Sequence, residues 1–545
     1  MPEFADGAGE RCDCIVIGAG HNGLVAAAYL ARAGRRVTVL ERAGQVGGAC
    51  VTDEIHPGYR VSTGAYVVSL LDGEVIRDLA LKRHGYRVLN REPSSFTPWP
   101  DGSSLLLGAD AEANRAEIAR FSPADAEAYG RYDAWLTRIA ERLEPILAEP
   151  PIDPMPWPNN WRRMGWRQRL RQLWAAGGLR RRLAGFGDDL PTVLPLVFGA
   201  ARPLLDHWFE SPLLKTTLAT DAVIGTFLPP SAPGTAYVLL HHVMGDAGGA
   251  RGVWGYAEGG MGSITRALQR SAEEAGARIR CDAEVAAIEP NASGGHRVRL
   301  VDGRCLDAPV VLSNATPEVT FGRLLERDRL PEGYAAAVDS IDYASASVKI
   351  NLALSELPDF TATRPGTDAE ALCRGTVHLG PDMDGMETAW AEARSGAPCR
   401  EPIVEMTVPS SVDPSLAPPG GHVAQLFVQY APYAPRDGWA AHREAFLERV
   451  LATVDAQAPN FSRSVLAAQM LTPPDLEQRF ALTGGNIFHG AMHPHQLYAA
   501  RPVPGWADAR TPVPGLYLCG AGVHPGGGVT GVPGRNAARA VLADA

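Results

Sequence analysis

Gly18-Ala-Gly20-His-Asn-Gly23 has the residue types and spacing to hold a pyrophosphate. Gly18 permits a tight turn, Gly20 lets the backbone approach the phosphates, and Gly23 lets a helix pack closely on a strand. A helix starting at that turn presents free N–H groups and the positive end of its dipole. Glu41 stands 18 residues beyond Gly23, where a carboxylate can accept hydrogen bonds from a ribose diol. Its charge repels a 2′-phosphate, so NADP is not expected even with Arg42 adjacent.

The flanking elements decide whether this spacing means anything. With 58 glycines in the chain, a bare G-x-G-x-x-G arises by chance on the order of 0.6 times. Here residues 12–17 (CDCIVI) read as a buried strand running into the turn. The next segment, LVAAAYLARAG, puts Leu24, Ala27, Ala28 and Ala31 on one helical face, and Gly34 ends it. Residues 37–40 (VTVL) form a second strand that ends at Glu41. Strand, turn, helix, strand and acid together make a dinucleotide-binding unit.

A second glycine loop, Arg42-Ala-Gly44-Gln-Val-Gly47-Gly48-Ala49, follows the acid. Here the chain resembles the FAD-binding glutathione-reductase-like superfamily. That resemblance implies that Gly47 and Gly48 lie near the flavin ribityl or pyrophosphate; a plain turn is the competing reading.

Further on, residues 75–92 and 110–150 read as helical, the latter with Ala126, Tyr129, Trp135, Ile139 and Leu143 as a buried stripe. The proline-rich stretch 150–158 reads as a linker into a helical subdomain. Gly259-Gly-Met-Gly262 places another glycine loop before a helix starting near Ser263. The runs 278–290, 296–303 and 308–317 are β-like, as are 347–354 (SVKINLAL) and 421–431, and 440–458 is helical. At the C-terminus a strand, 515–519, runs into Gly520-Ala-Gly522, and a glycine loop at 526–531 opens a last helix. Such a helix start can aim N–H groups at developing negative charge.

Four segments together carry a family resemblance: the N-terminal unit, YAEGGMGSITRAL, VVLSNATP and LYLCGAGVHPGGGVTGVPG. The chain resembles phytoene-desaturase-like FAD oxidoreductases. GTAYVLLHHVMG and GGNIFHGAM make it most similar to the pyridine nucleotide-disulfide oxidoreductase domain-containing protein 2 group.

The resemblance implies an α/β fold. Its FAD-binding Rossmann domain would be discontinuous (1–95, 250–325 and 500–545). A mixed-sheet substrate domain (96–249 and 326–499) would interleave with it and carry a helical cap at about 110–220. FAD would be held by Gly18, Gly20, Gly23, Glu41, Arg42, Gly47, Gly48, Gly520, Gly522, Gly528 and Val529, and the Val285 backbone would meet the adenine. The polar groups it brings near the ring are His524, His489, Asn486 and His242. His524, beside the last glycine loop, is best placed by motif and His489 is second; each also reads as a structural histidine capping a turn.

The implied chemistry is hydride transfer to flavin N5 during oxidation, desaturation or isomerisation of C–C bonds in a lipophilic small molecule. No second dinucleotide unit follows residue 50, so a stable NAD(P) site is not expected; the resemblance implies oxygen, a quinone or another acceptor for the electrons. Dithiol chemistry is not expected, because no partner cysteine stands near Cys50. An FAD amine oxidase and an interaction protein with structural FAD remain the alternatives.

Composition sets the remaining bounds. The 545 residues carry a net charge of −10, with 46 % apolar and 21 % charged residues. That fits a folded globular chain without a global nucleic-acid footprint. At roughly 150 residues per domain, length alone suggests three or four domains. Eight scattered cysteines lack metal spacing, and His489, His493 and His495 are interrupted by Pro494, so no metal is expected. No signal-like segment or run of about 18 apolar residues appears, so a cytoplasmic location is expected.

Only Lys82, Lys215 and Lys349 among the 51 basic residues are lysines, so arginine abundance is largely compositional. One local cluster stands out: residues 161–183 hold Arg162, Arg163, Arg167, Arg169, Arg171, Arg180, Arg181 and Arg182 without an acid. Trp166, Leu170, Leu173 and Trp174 share one helix face there. Such a helix can lie on an anionic membrane surface; the competing reading is a solvated helix packed on its own domain.

Overall fold

Cys14–Ile17 is buried at all four positions, as a strand enclosed on both faces must be. It pairs in parallel with Val37–Leu40 on one side and Val310–Ser313 on the other. Arg278–Arg280 and Leu516–Leu518 extend the sheet at its two edges, again in parallel. The computed structural model describes residues 12–152, 166–247, 250–292, 294–363 and 367–545.

The helix His21–Arg32 crosses this sheet, and Leu24, Ala27, Ala28 and Ala31 are buried. Small side chains let two neighbours, Gly262–Glu274 and the C-terminal helix Val532–Asp544, pack against it. Gly534 makes the closest approach: a Cβ there would sit 2.1 Å from the Asn22 carbonyl oxygen. A separate antiparallel three-stranded sheet, Val285–Pro290, His296–Leu300 and Cys305–Ala308, connects two strands of the parallel sheet.

The second body is a seven-stranded mixed sheet. Its order is Val465–Leu471, Ser347–Leu354, His422–Gln429, Ile403–Thr407, Thr376–Leu379, Ser95–Pro98, Ser104–Leu107. Only the contact between Thr376–Leu379 and Ser95–Pro98 is parallel. Its largest core joins this sheet to helices between residues 111 and 243, through residues such as Phe96, Ile350, Leu136 and Leu214. The chain is thus α/β, with a Rossmann-type parallel sheet and a mixed sheet built from interleaved segments.

Two helix expectations are corrected. Within 75–92, only the helix Gly73–Asp78 forms; Ala80 and Gly85 take positive φ, and Val88–Asn90 pairs with Gly255–Ala257 as a strand. Within 110–150, two helices form, Ala111–Ala119 and Pro123–Leu147. Ser122 separates them by accepting a hydrogen bond from the Asp125 N–H at 3.0 Å, and Pro123 fits the first helical position.

Most of the proline-rich 150–158 stretch, and Arg162 and Arg163 of the basic cluster, lie outside the described residues. Trp166–Ala184 is helical. Trp166, Leu170, Leu173 and Trp174 are all exposed, Trp174 to 77 %.

Candidate flavin and substrate site

The site starts at the carboxyl ends of two adjacent strands, Cys14–Ile17 and Val310–Ser313, whose outward connections lead to opposite sides of the sheet. That is the switch point where ligands bind in open parallel sheets. The Gly18 N–H donates to the Leu40 carbonyl at 2.7 Å, closing the first turn. A Cβ on Gly23 would lie 2.1 Å from the Gly18 carbonyl oxygen. No side chain fits there, so the helix can approach the strand only with glycine at that position. The first N–H groups of helix 21–32 have no acceptor within the helix, and Asn22 Oδ1 beside them is buried without a partner.

The second glycine loop docks on the first. The Gly47 N–H donates to the Ala19 carbonyl at 2.9 Å, and a Cβ on Gly48 would come within 3.3 Å of Gly20 Cα. Two stretches of bare backbone therefore form one cradle. Glu41 sits at its side, 8 % exposed. Its carboxylate accepts from the Ala19 N–H at 2.7 Å and the Ala43 N–H at 2.9 Å, which orients it. Arg42 points elsewhere: it donates to the Gln478 and Arg479 carbonyls at 2.9 and 2.8 Å, bracing the two bodies against each other. Val285 opens the strand Val285–Pro290 and is half-buried.

The third glycine loop at 259–262 does not leave its helix end free. The Met261 N–H donates to Ser62 Oγ and the Gly262 N–H to Thr52 Oγ1, at 3.0 and 2.9 Å, while Gly259 N–H meets Asp413 at 2.6 Å. These contacts tie the strand pair 52–62 to the helix 262–274 and are structural.

The C-terminal loop completes the frame. Gly520 packs against Asn314 and Gly522 against Pro317, where a Cβ would lie 2.5 and 2.4 Å from the nearest atoms. Gly528 has φ +113°, and Val529 follows at +57°, a left-handed conformation that a β-branched side chain rarely accepts. Both line a cavity of about 640 Å³. The helix Val532–Asp544 begins just beyond, its positive end toward this loop.

The cavity begins among His21, Ala49, Cys50, Ala521 and the Gly527–Val529 loop, then extends into the second body. Tyr129, Tyr132, Leu136, Leu239, Phe427 and Phe488 give it apolar walls. Its inner wall is polar. Lys349 lies in the strand Ser347–Leu354, which is buried at all eight positions. Its Nζ donates to Asn351 Oδ1 at 2.7 Å and sits 4.9 Å from the centre of the Tyr66 ring. No carboxylate faces it within ion-pair distance among the described residues, and burial drives its pKa well below the ordinary lysine value.

Tyr66 Oη donates to Glu405 Oε2 at 3.3 Å. Burial, with Asp221 as a second carboxyl nearby, pushes Glu405 up to about 8. Asp221 is raised too, chiefly by burial, against the opposing pull of His242 and Arg91. His378 Nδ1 is 2.9 Å from Thr220 Oγ1 and 3.8 Å from Glu405 Oε1. Burial holds His378 and His489 down to about 3 and His21 to about 4, so each is a neutral imidazole at pH 7.

His489 and His242 line this cavity, whereas His524 and Asn486 do not. His524 is buried with its ring edge-on to Tyr498 at 5.3 Å. Asn486 is also buried, donating to the Ala344 carbonyl at 2.9 Å and accepting from the Phe488 N–H at 2.9 Å. Sequence reading missed Lys349, Tyr66, Glu405 and Asp221. One signal was available: a lysine, rare in this chain, lies inside an apolar β run.

All eight cysteines are free thiols, and burial pushes Cys50 up to about 12. Its nearest polar contact is His21 Nδ1 at 3.8 Å. Among the described residues, no group of three or more His, Cys, Asp or Glu could hold a metal.

The glycine cradle, the oriented Glu41 and the unpartnered Asn22 Oδ1 fit a dinucleotide whose far end enters the cavity. The sequence profile for flavin containing amine oxidoreductases matches residues 23–542. The chain is 44 % identical to mouse "Pyridine nucleotide-disulfide oxidoreductase domain-containing protein 2", over 98 % of this chain and 93 % of that one. It is 28 % identical to the hydroxyneurosporene desaturase of Cereibacter sphaeroides, over 97 % of both. Cyclohexylamine oxidase from Brevibacterium oxydans shares the fold at a TM-score of 0.58 with 16 % identity, covering 98 % of this chain and 99 % of that one. The chain belongs to the flavin containing amine oxidoreductase family, with phytoene-desaturase-like relatives, and is an FAD-dependent oxidoreductase.

Proposed function

We propose that the protein oxidises C–C bonds of a mostly apolar small molecule lying in the 640 Å³ cavity. The observation that carries this reading is the continuity of the cavity from the glycine loops to Lys349, Tyr66 and Glu405. Bound FAD supplies a two-electron hydride acceptor at one end. The apolar walls exclude water and orient the substrate body. Tyr66 and Lys349, whose pKa burial lowers, form the wall that accepts a proton. The desaturase relative supports C–C over C–N chemistry.

In this reading Gly18, Gly20 and Gly23 take the pyrophosphate, Glu41 the ribose diol, Gly47 and Gly48 the ribityl side and the Val285 backbone the adenine. Gly520, Gly522, Gly528 and Val529 frame the flavin ring, while Arg42 braces the loop. His489 is the histidine that can touch substrate, and His524 supports the loop behind it. The FAD-binding domain is read as 1–95, 250–325 and 500–545, a division supported by the parallel sheet, whose strands come from these segments. The remaining segments form the substrate domain, with its helical cap at about 110–220.

Electrons then pass to oxygen or a quinone. The protein works in the cytoplasm at a membrane surface, which the exposed Trp166–Trp174 stripe beside arginines supports. No helix among the described residues is long and apolar enough to cross a membrane.

Amine oxidation is the second reading, favoured by the carboxyls of Asp221 and Glu405 in the cavity. Anaerobic titration of the purified flavoprotein decides between them. Bleaching of the flavin band by terpenes or polyenes, with silence across an amine panel, is the expected result. Bleaching by amines alone would overturn it.

A further inference from the structure

The polar inner wall holds carboxyl groups short of hydrogen-bond partners. Glu405 is 5 % exposed, and its Oε1 is buried with no hydrogen bond. Asp221 also lines the cavity and makes no hydrogen bond among the described residues. Arg91, 4 % exposed, donates to the Trp254 carbonyl at 3.0 Å and to Thr376 Oγ1 at 2.8 Å. No carboxylate lies within ion-pair distance of it among the described residues. A buried polar atom left unpaired costs about 1–3 kcal/mol, so Glu405 Oε1, on the same wall as the unbonded Asp221, calls for a ligand that satisfies it.

Charge selects the kind of ligand. His378 and His489 are neutral imidazoles, as argued above. Asp221 and Glu405 share this wall with two basic side chains, Arg91 and Lys349. Counted at full charge the four offset one another, and a proton passing from Lys349 to a carboxyl leaves that sum unchanged, so the wall is close to neutral. A cationic or anionic ligand would disturb that balance and force proton release or uptake. A neutral group that both donates and accepts would not.

We propose that Asp221 and Glu405, beside Arg91, form an end-group site for a neutral hydroxyl on the substrate, which exchanges one donated and one accepted hydrogen bond with the carboxyl pair. Thr217, Asp221 and Ile224, spaced along one face of the helix Pro212–Val223 and its cap, place the hydroxyl next to apolar wall. The substrate is then an alcohol whose hydrocarbon body points back along the cavity toward the glycine loops. This inference rests on the proposed reading of the cavity as the substrate site.

The test uses three probes with one chain length: 1-hexanol, hexylamine and hexanoate. Binding to the full-length protein is read as a thermal shift and, where FAD is bound, as a flavin difference spectrum. Hexanol should bind about tenfold more tightly than either charged probe. Glu405→Leu should weaken hexanol about tenfold and leave hexanoate unchanged. Glu405→Gln and Asp221→Asn, which keep shape, should each weaken it about threefold and carry the test if the leucine variant does not fold.

Tighter binding of hexylamine would make the pair a cation site, and tighter binding of hexanoate would make Arg91 an anion site; either overturns the proposal. So does hexanol that fails to bind or ignores the substitutions. Protein without FAD would count against the flavin assignment alone, because the thermal shift still reports on the end-group site.

Discussion

The Arg535 guanidinium donates to the Asp72 carboxylate at 2.8 Å, joining the last helix to the start of the helix Gly73–Asp78. Arg535 is 1 % exposed and also meets Glu74 at 2.6 Å and the Ala148 carbonyl at 2.9 Å. Asp72 meanwhile caps its own helix by accepting from the Glu74 and Val75 N–H groups. The loop that frames the cavity is thereby anchored just beyond its end. Arg535→Leu should cost about 3 kcal/mol, since it strands partly buried acceptors. Denaturant unfolding should show a lower midpoint with unchanged slope, and no shift would mean the anchor is not structural.

Glu41→Arg should lower the fraction of protein purified with FAD. The substitution removes the acceptor of the Ala19 and Ala43 N–H groups and any bond to the ribose. The ratio of flavin to protein absorbance measures it; unchanged occupancy would count against Glu41 as the ribose ligand.

Lys349→Met should alter how stability depends on pH. In the folded protein burial lowers the amine's pKa well below 10.5. In the unfolded chain it stays charged up to about pH 10.4. Between the two pKa values the unfolded state binds the extra proton, so over that window the lysine makes stability rise with pH up to the unfolded value. The slope from this one group is about 1.4 kcal/mol per pH unit. The variant should lose that slope, be more stable than the parent at pH 7, and converge with it above about pH 10.4. Parallel stability curves would show that burial does not lower the amine's pKa.

Trp166→Ser with Trp174→Ser should abolish co-sedimentation with phosphatidylglycerol vesicles while leaving flavin content unchanged. Both indoles are exposed, and no carboxylate interrupts the helix Trp166–Ala184. Binding by the parent should fall at about 1 M salt, where the screening length is about 3 Å. If the parent fails to bind such vesicles at low salt, the membrane reading is wrong.

Local pattern determined the nucleotide end of this protein. The Gly18–Gly23 turn, the helix 21–32, the strand 37–40 and Glu41 are contiguous, and each depends on backbone rules that act over a few residues. The strand 347–354 and the helix Trp439–Asp455 were legible for the same reason. The 75–92 segment was not: its periodicity resembled a helix, but Val88–Asn90 found a partner strand 165 residues or more away.

Only tertiary structure decided which polar side chains share the cavity. Tyr66, Asp221, Lys349 and Glu405 come from four distant segments, and no spacing rule relates them. It also separated His489, which lines the cavity, from His524, which does not, although both follow glycine-rich turns. The physical reason is range. A turn or helix start is set by neighbours in the chain, whereas a buried charge, its desolvation and its missing partner are set by whatever the fold packs around it.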